Sequence, residues 1–149
     1  MSWANQEIFK LIAELPDAAL ESYATDPEFP VREILRHIAA ASGGYAYRLD
    51  GIENKPMEQP ETMAELLEIT KTLEITDARL IKLVELEDKS IEVIRDGKTI
   101  HWMRSTIITQ AVHHATEHRA QAISALEARG YKAVNLDDFD LWAYEIATR

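Results

Sequence analysis

The segment KSIEVIRDGKTIHW, from Lys89 to Trp102, interrupts a sequence that is otherwise patterned for helices. Its apolar residues alternate with polar ones on both sides of Asp96-Gly97, a dipeptide that favours a two-residue β-hairpin turn. Such a turn sets the register of the two strands, with Arg95 opposite Lys98. This pairing predicts one apolar face that packs against the helices, formed by Ile91, Val93, Ile100 and Trp102.

Two helices are predicted before this hairpin, in the first third of the chain. Ser2 is the expected N-cap of the first helix, which runs over residues 3 to about 23 and bends or breaks at Pro16. The linker ATDPEFP leads to a second helix, in which Pro30 suits the first turn. That helix is expected to end near Asp50-Gly51, because the following segment, GIENKPMEQPE, has the composition of a loop.

Two longer helices flank the hairpin, and a short one ends the chain. Thr62 and Glu65 form a predicted capping box for the third helix, which extends to about residue 87. The fourth helix runs over residues 105 to 129 and is closed by Gly130. In the C-terminal segment, Asn135 or Asp137 is expected to cap a short helix that docks through Leu141, Trp142 and Ile146. The pattern predicts one all-α domain over residues 1–149, a four-helix bundle with a small β-hairpin in the crossover before the last long helix.

The composition favours a soluble globular protein and argues against two kinds of partner. With 149 residues and a hydrophobic content of 46%, the chain can bury a core without cross-links. Its formal net charge of -10 and the lack of a basic stripe argue against nucleic acid as a partner. No apolar run approaches the length of a membrane span, and no signal peptide is visible, which predicts a cytoplasmic location without membrane association.

Three of the five histidines lie in one segment of the fourth helix, QAVHHATEHRAQ. His114 and His118 are four residues apart and share one helix face, and the alanines beside them leave room for an ion. Because the chain has no cysteine, any metal site must use histidine and oxygen ligands. The pair alone also fits histidines that are satisfied by hydrogen bonds without a metal.

A third ligand is needed, because a catalytic zinc-type site takes three protein ligands and a water. His37, in the segment ILRHIAA of the second helix, is the candidate, although it also fits a histidine at a surface helix edge. His113 and His101 are expected to face water. Glu117 lies near enough to His114 to be a candidate acceptor for the second N–H group of that ring.

Several segments together resemble the DinB/YfiT-like metalloenzymes over nearly the whole chain: WANQEIF, ILRHIAAASGGYAYRLDG, HHATEHRAQAISALEARGY and LDDFDLWAY. The most specific part is the H-x-x-x-H-R-x-Q run that ends at Gln121. The resemblance implies an up-down-down-up four-helix bundle, often a homodimer, with a divalent metal bound by His37, His114 and His118. The chain departs from the family pattern at Ala120, where glycine is common, and at Gln110, where many members have a further histidine.

The resemblance implies a metal-dependent enzyme that acts on a small molecule at an open coordination site. Two chemistries fit: S-transfer from a low-molecular-weight thiol bound as its thiolate, or hydrolysis by a metal-activated water. Thiol-dependent members of the superfamily point to a role in stress or detoxification. Zinc or nickel suits imidazole ligands best, with iron or manganese as further options. The alternative is a non-catalytic bundle that binds a metal or a small ligand as a dimeric module.

Overall fold

The computed structural model describes residues 1–132 and 134–149. Within these ranges the chain is mostly helical and contains one two-stranded antiparallel sheet. The elements are α1 (Ser2–Ile12), α2 (Val31–Asp50), α3 (Met63–Val84), β1 (Ser90–Arg95), β2 (Lys98–Met103), α4 (Arg104–Glu127) and α5 (Leu141–Ala147). None of the helices in this part of the chain combines the length and hydropathy that a membrane crossing requires.

The β-hairpin has the register that the sequence predicts, with Arg95 opposite Lys98. Asp96 and Gly97 have φ values of 52° and 73°, and a type I′ turn needs positive φ at both central positions. Val93 is buried on the inner face, and the other three side chains of that face are half-buried: Ile91, Ile100 and Trp102. The predicted helix-facing side of the hairpin is therefore confirmed.

The first helix is shorter than the sequence pattern predicts. α1 ends at Ile12, and a separate 3₁₀ helix follows at Asp17–Glu21 after extended backbone at Pro16. Proline lacks the N–H group that a continuing helix needs, and its ring clashes with the preceding turn. Ser2 is the first helical residue, and the N-cap position belongs to Met1.

The ends of the other long helices follow the predicted signals closely. Gly51 ends α2 with φ 73°, and Gly130 follows α4 with φ 86°. The Thr62 hydroxyl accepts the N–H of Glu65 at the start of α3. The predicted end of α3 at residue 87 is three residues late, since the helix stops at Val84.

The core is built from all four long helices. α2 packs against both α3 and α4, and α1 packs against α3. The main apolar cluster contains a large, fully buried side chain from each helix, namely Phe9, Leu35, Leu66 and Leu126. The packing of α2 against α4 brings the second and fourth helices side by side, and this contact positions the candidate site.

A chain of buried polar side chains crosses the same core. Arg119 donates from Nη1 to Asn5 Oδ1 at 2.6 Å, and Asn5 donates from Nδ2 to Asp77 Oδ2 at 2.9 Å. Ser42 Oγ donates to the other oxygen of Asp77 at 2.7 Å. Burial raises the pKa of Asp77 and lowers the pKa of Arg119. Each of the four long helices contributes one of these residues, so the chain of hydrogen bonds links them all.

The C-terminal segment corrects two expectations. Asp140 caps α5 by accepting the N–H of Ala143, whereas Asn135 caps only the preceding 3₁₀ helix, Leu136–Phe139. The predicted docking of α5 is wrong, since the side chains expected to dock are 74% to 80% exposed, namely Leu141, Trp142 and Ile146. Phe139 and Tyr144 make the contact instead, with ring centroids 5.7 Å from that of Trp3. Tyr144 lies on the opposite side of this short helix, so its contact turns the predicted face outward.

Candidate metal centre

The packing of α2 against α4 brings three histidines together. His37 Nε2 and His114 Nε2 are 2.9 Å apart. The ring of His118 completes the group, with its centroid 4.6 Å from that of His37 and 4.4 Å from that of His114. Ring nitrogens from all three residues lie within 4.8 Å of one another. These are the three histidines that the sequence analysis singles out, and the group contains no further member within the described ranges.

Two aromatic rings border the histidine cluster. Phe29, which precedes α2, has its ring edge-on to His37 and His118, with centroid separations of 5.8 Å and 6.0 Å. Tyr45, two turns after His37 on α2, lies 5.8 Å from the ring of His114. All three histidines are half-buried. The cluster is therefore sheltered by apolar surface while it stays reachable from solvent.

The environment favours neutral imidazoles. Burial lowers the pKa of His37, and the charge of His118 lowers it further. Burial, together with the charges of His118 and His37, lowers the pKa of His114 to about 4. These two rings are therefore uncharged at pH 7, and the neutral ring is the form whose nitrogen lone pair binds a metal.

Gln121 fixes the orientation of one of these rings. His118 Nδ1 lies 2.8 Å from Gln121 Oε1, a contact that selects the neutral tautomer in which Nδ1 carries the proton and Nε2 keeps the lone pair. Metal-bound histidines usually donate their second N–H to such an acceptor. The i, i+3 spacing of these two residues is the sequence signal that could have identified this pair, since it places them on adjacent turns.

The expectation that Glu117 accepts the second N–H group of His114 is wrong. Its side chain is exposed, and it makes no hydrogen bond to a histidine anywhere in the ranges that the structure describes. Glu117 and His114 are three residues apart, which makes a contact possible, but Glu117 is exposed to solvent instead. His101 and His113 are exposed, as predicted.

The donor set fits a divalent metal ion. Two nitrogens bound to one tetrahedral zinc at about 2.05 Å are about 3.3 Å apart, and the 2.9 Å between His37 Nε2 and His114 Nε2 is close to this value. Imidazole suits zinc, nickel and iron. A structural zinc site normally has four protein ligands, whereas this group offers three within the described part of the chain.

One protein-family model matches nearly the whole chain. The model of the DinB family matches residues 1–147. The chain belongs to the DinB family. This match spans all the elements that build the three-histidine cluster, and it confirms the resemblance derived from the sequence segments. Neither a curated protein nor a solved structure matches this DinB family chain.

Proposed function

We propose that this DinB family protein is a metal-dependent enzyme whose divalent ion is bound by His37, His114 and His118. The observation that carries the proposal is the convergence of three half-buried imidazoles from two helices with no fourth protein ligand in the described ranges. Three ligands leave a coordination position for a substrate, as catalytic sites require. Zinc or nickel is the proposed ion.

The ion would supply a Lewis-acid centre that favours the deprotonated form of a water or thiol. The chain's own residues prepare this centre. Gln121 holds His118 in the tautomer that leaves Nε2 free, and Phe29 and Tyr45 shelter the rings from bulk water. The chain has no cysteine, so a thiol nucleophile must come from a second substrate. We therefore propose S-transfer from a low-molecular-weight thiol or hydrolysis of a small molecule. A stress or detoxification role is proposed from the family resemblance alone.

The proposal includes the arrangement of the chain. The core contacts of α2 with α3 and α4, and of α1 with α3, support an up-down-down-up four-helix bundle. In such a bundle the second and fourth helices are neighbours, which is the contact that the three histidines need. Association of two copies into a homodimer is proposed from the family resemblance.

A second candidate function is a non-catalytic binding module. It is favoured by the short separation of His37 Nε2 and His114 Nε2, which is also that of an N–H···N hydrogen bond between two neutral rings. Such a bond would satisfy both histidines without a metal.

A screen for turnover separates the two candidates. Zinc-loaded and nickel-loaded protein would be mixed with an aryl halide and a panel of low-molecular-weight thiols, and separately with p-nitrophenyl esters without thiol. We expect turnover in one arm that requires the metal, is lost in His114→Ala and is kept in His113→Ala, which removes an adjacent exposed histidine. Metal-loaded protein without turnover in either arm, or equal turnover in the two variants, would favour the binding module.

A further inference from the structure

A cleft of about 650 Å³ opens between the hairpin, α2 and α4. None of the three histidines is in its lining, but two of the residues that line it border the histidine cluster. Tyr45 has its ring 5.8 Å from that of His114, and Gln110 lies one turn before His114 on α4. The volume is within the range of about 300–1,000 Å³ that small-molecule sites show. The cleft therefore has the size of a small-molecule site and lies next to the cluster.

The charge of the cleft is opposite to that of the chain. Acidic residues outnumber basic ones 26 to 16 in the sequence, yet the lining contains two arginines, Arg48 and Arg95, and no acidic residue. Arginine is the residue best suited to bind carboxylate and phosphate groups, because its planar fork matches their oxygens. The lining thus favours an anionic ligand.

Both arginines keep donors available for a ligand. Arg48 Nη1 donates to Gly44 O at 2.7 Å, and the guanidinium lies 5.8 Å from the centroid of the Tyr45 ring. These contacts hold the side chain along α2 while they use one of its five N–H groups. Arg95 is on the same face of β1 as the buried Val93, and its nearest carboxylate oxygen, on Asp96, is 3.8 Å away. An exposed ion pair at that distance is weak.

Five of the other seven lining residues are apolar or aromatic, and the remaining two, Thr106 and Gln110, are polar. The half-buried Trp102 projects from β2, and the buried Val93 and Ile107 lie beside it. A ring or short aliphatic body can pack against this surface and remove apolar area from water. The cleft thus combines apolar surface with two arginines, and Tyr45 lies between this lining and His114, with its ring 5.8 Å from the His114 ring.

We propose that this cleft binds the substrate and selects a small organic anion. Its apolar body packs on Trp102, its carboxylate or phosphate group pairs with Arg48 and Arg95, and its reacting end faces the histidine cluster. The part of this inference that concerns reaction rests on the proposed function, because it takes the three histidines as the reaction centre. The anion site itself depends only on the cleft.

Calorimetric titration with three probes of one size tests the inference. The probes are 2-naphthoate, 2-naphthyl phosphate and the neutral 2-naphthylmethanol, and the proteins are wild type, Arg48→Gln, Arg95→Gln and the double variant. Arg149→Gln is the matched control, because it makes the same charge change at an exposed arginine outside the cleft. Circular dichroism verifies that each variant is folded.

We expect at least one anionic probe to bind at least about tenfold more tightly than the alcohol, and the double variant to lose about tenfold or more, since charge-assisted pairs exceed neutral ones. Arg149→Gln should bind as wild type does. The tighter of the two anionic probes identifies the preferred head group. Equal binding of all three probes, or an unchanged double variant, would overturn the inference.

Repeating the titrations with zinc-free, zinc-loaded and His114→Ala protein separates this inference from the proposed function. Zinc binding without arginine-dependent binding of a probe would overturn the anion site and leave the metal site intact. Arginine-dependent binding in a protein that takes up neither zinc nor nickel would support the anion site and overturn the metal-dependent function. Probe binding that His114→Ala abolishes and the arginine variants leave unchanged would place the anion on the metal and overturn the inference.

Discussion

Replacing Asn5 with alanine tests whether the buried polar chain holds the helices together. Asn5 is fully buried, and its amide connects Arg119 on α4 with Asp77 on α3. Alanine removes both hydrogen bonds at once. Neither partner can turn to bulk water, because Arg119 is 7% exposed and Asp77 is 0% exposed.

The size of the effect follows from the partners that remain. Asp77 keeps the hydroxyl of Ser42 at 2.7 Å, and Arg119 keeps that of Thr116 at 3.1 Å. Each loses one hydrogen bond, and a buried group left without its partner costs about 1–3 kcal/mol. Two such groups are affected, so we expect the free energy of unfolding of Asn5→Ala to fall by about 2–6 kcal/mol.

Urea unfolding followed by circular dichroism at 222 nm measures this change. Asn135→Ala, at an exposed amide, is the control and should cost about 1 kcal/mol or less. Asp77→Ala removes the carboxylate to which Asn5 donates. The Asn5→Ala/Asp77→Ala double variant should therefore lose less stability than the sum of the losses in the two single variants. A loss below about 1 kcal/mol in Asn5→Ala, or strictly additive effects of the two substitutions, would show that the buried polar chain does not hold the helices together.

Three further results are expected. Trp142→Ser should change the free energy of unfolding by less than about 0.5 kcal/mol, because Trp142 is 76% exposed; a larger loss in urea unfolding would mean that α5 docks through this residue. The metal-free protein should lose thermal stability as the pH falls from about 6.5 to about 4. The pKa of His114 is lowered in the folded state, so over this range the unfolded chain binds a proton that the native state excludes. His114→Ala should make the melting temperature depend less on pH, and an unchanged dependence would contradict the lowered pKa of His114. Gln121→Ala should weaken zinc binding by about 10- to 100-fold, measured in competition with a chromogenic chelator. Gln121→Glu keeps an acceptor oxygen and should therefore keep most of the affinity. Equal affinities of wild type and Gln121→Ala would exclude an orienting role of Gln121.

The features that the sequence predicts correctly are governed by neighbours along the chain. The Asp96-Gly97 turn determines the hairpin register because both residues accept positive φ. Gly51 and Gly130 end helices for the same reason. The pairing of His114 with His118 also follows from local geometry, since residues four apart share a helix face.

The features that it misses depend on contacts between distant segments. Asn5 and Asp77 are 72 residues apart, and nothing in either helix pattern predicts that they meet. His37 joins the cluster only through the packing of α2 against α4, so the local pattern left it undecided and the family resemblance was needed. The predicted docking face of α5 is wrong, because apolar spacing identifies one face of a helix but not the partner that covers it.

The most direct test of the central claim is the metal content of the protein. The chain would be purified without a histidine tag and analysed for bound elements, beside His37→Ala, His114→Ala and His118→Ala. We expect about one equivalent of a divalent metal, lost in all three variants and retained in His113→Ala and His101→Ala. A folded wild-type protein that holds no metal and cannot be reloaded, or a loss in His113→Ala as large as in His114→Ala, would contradict it.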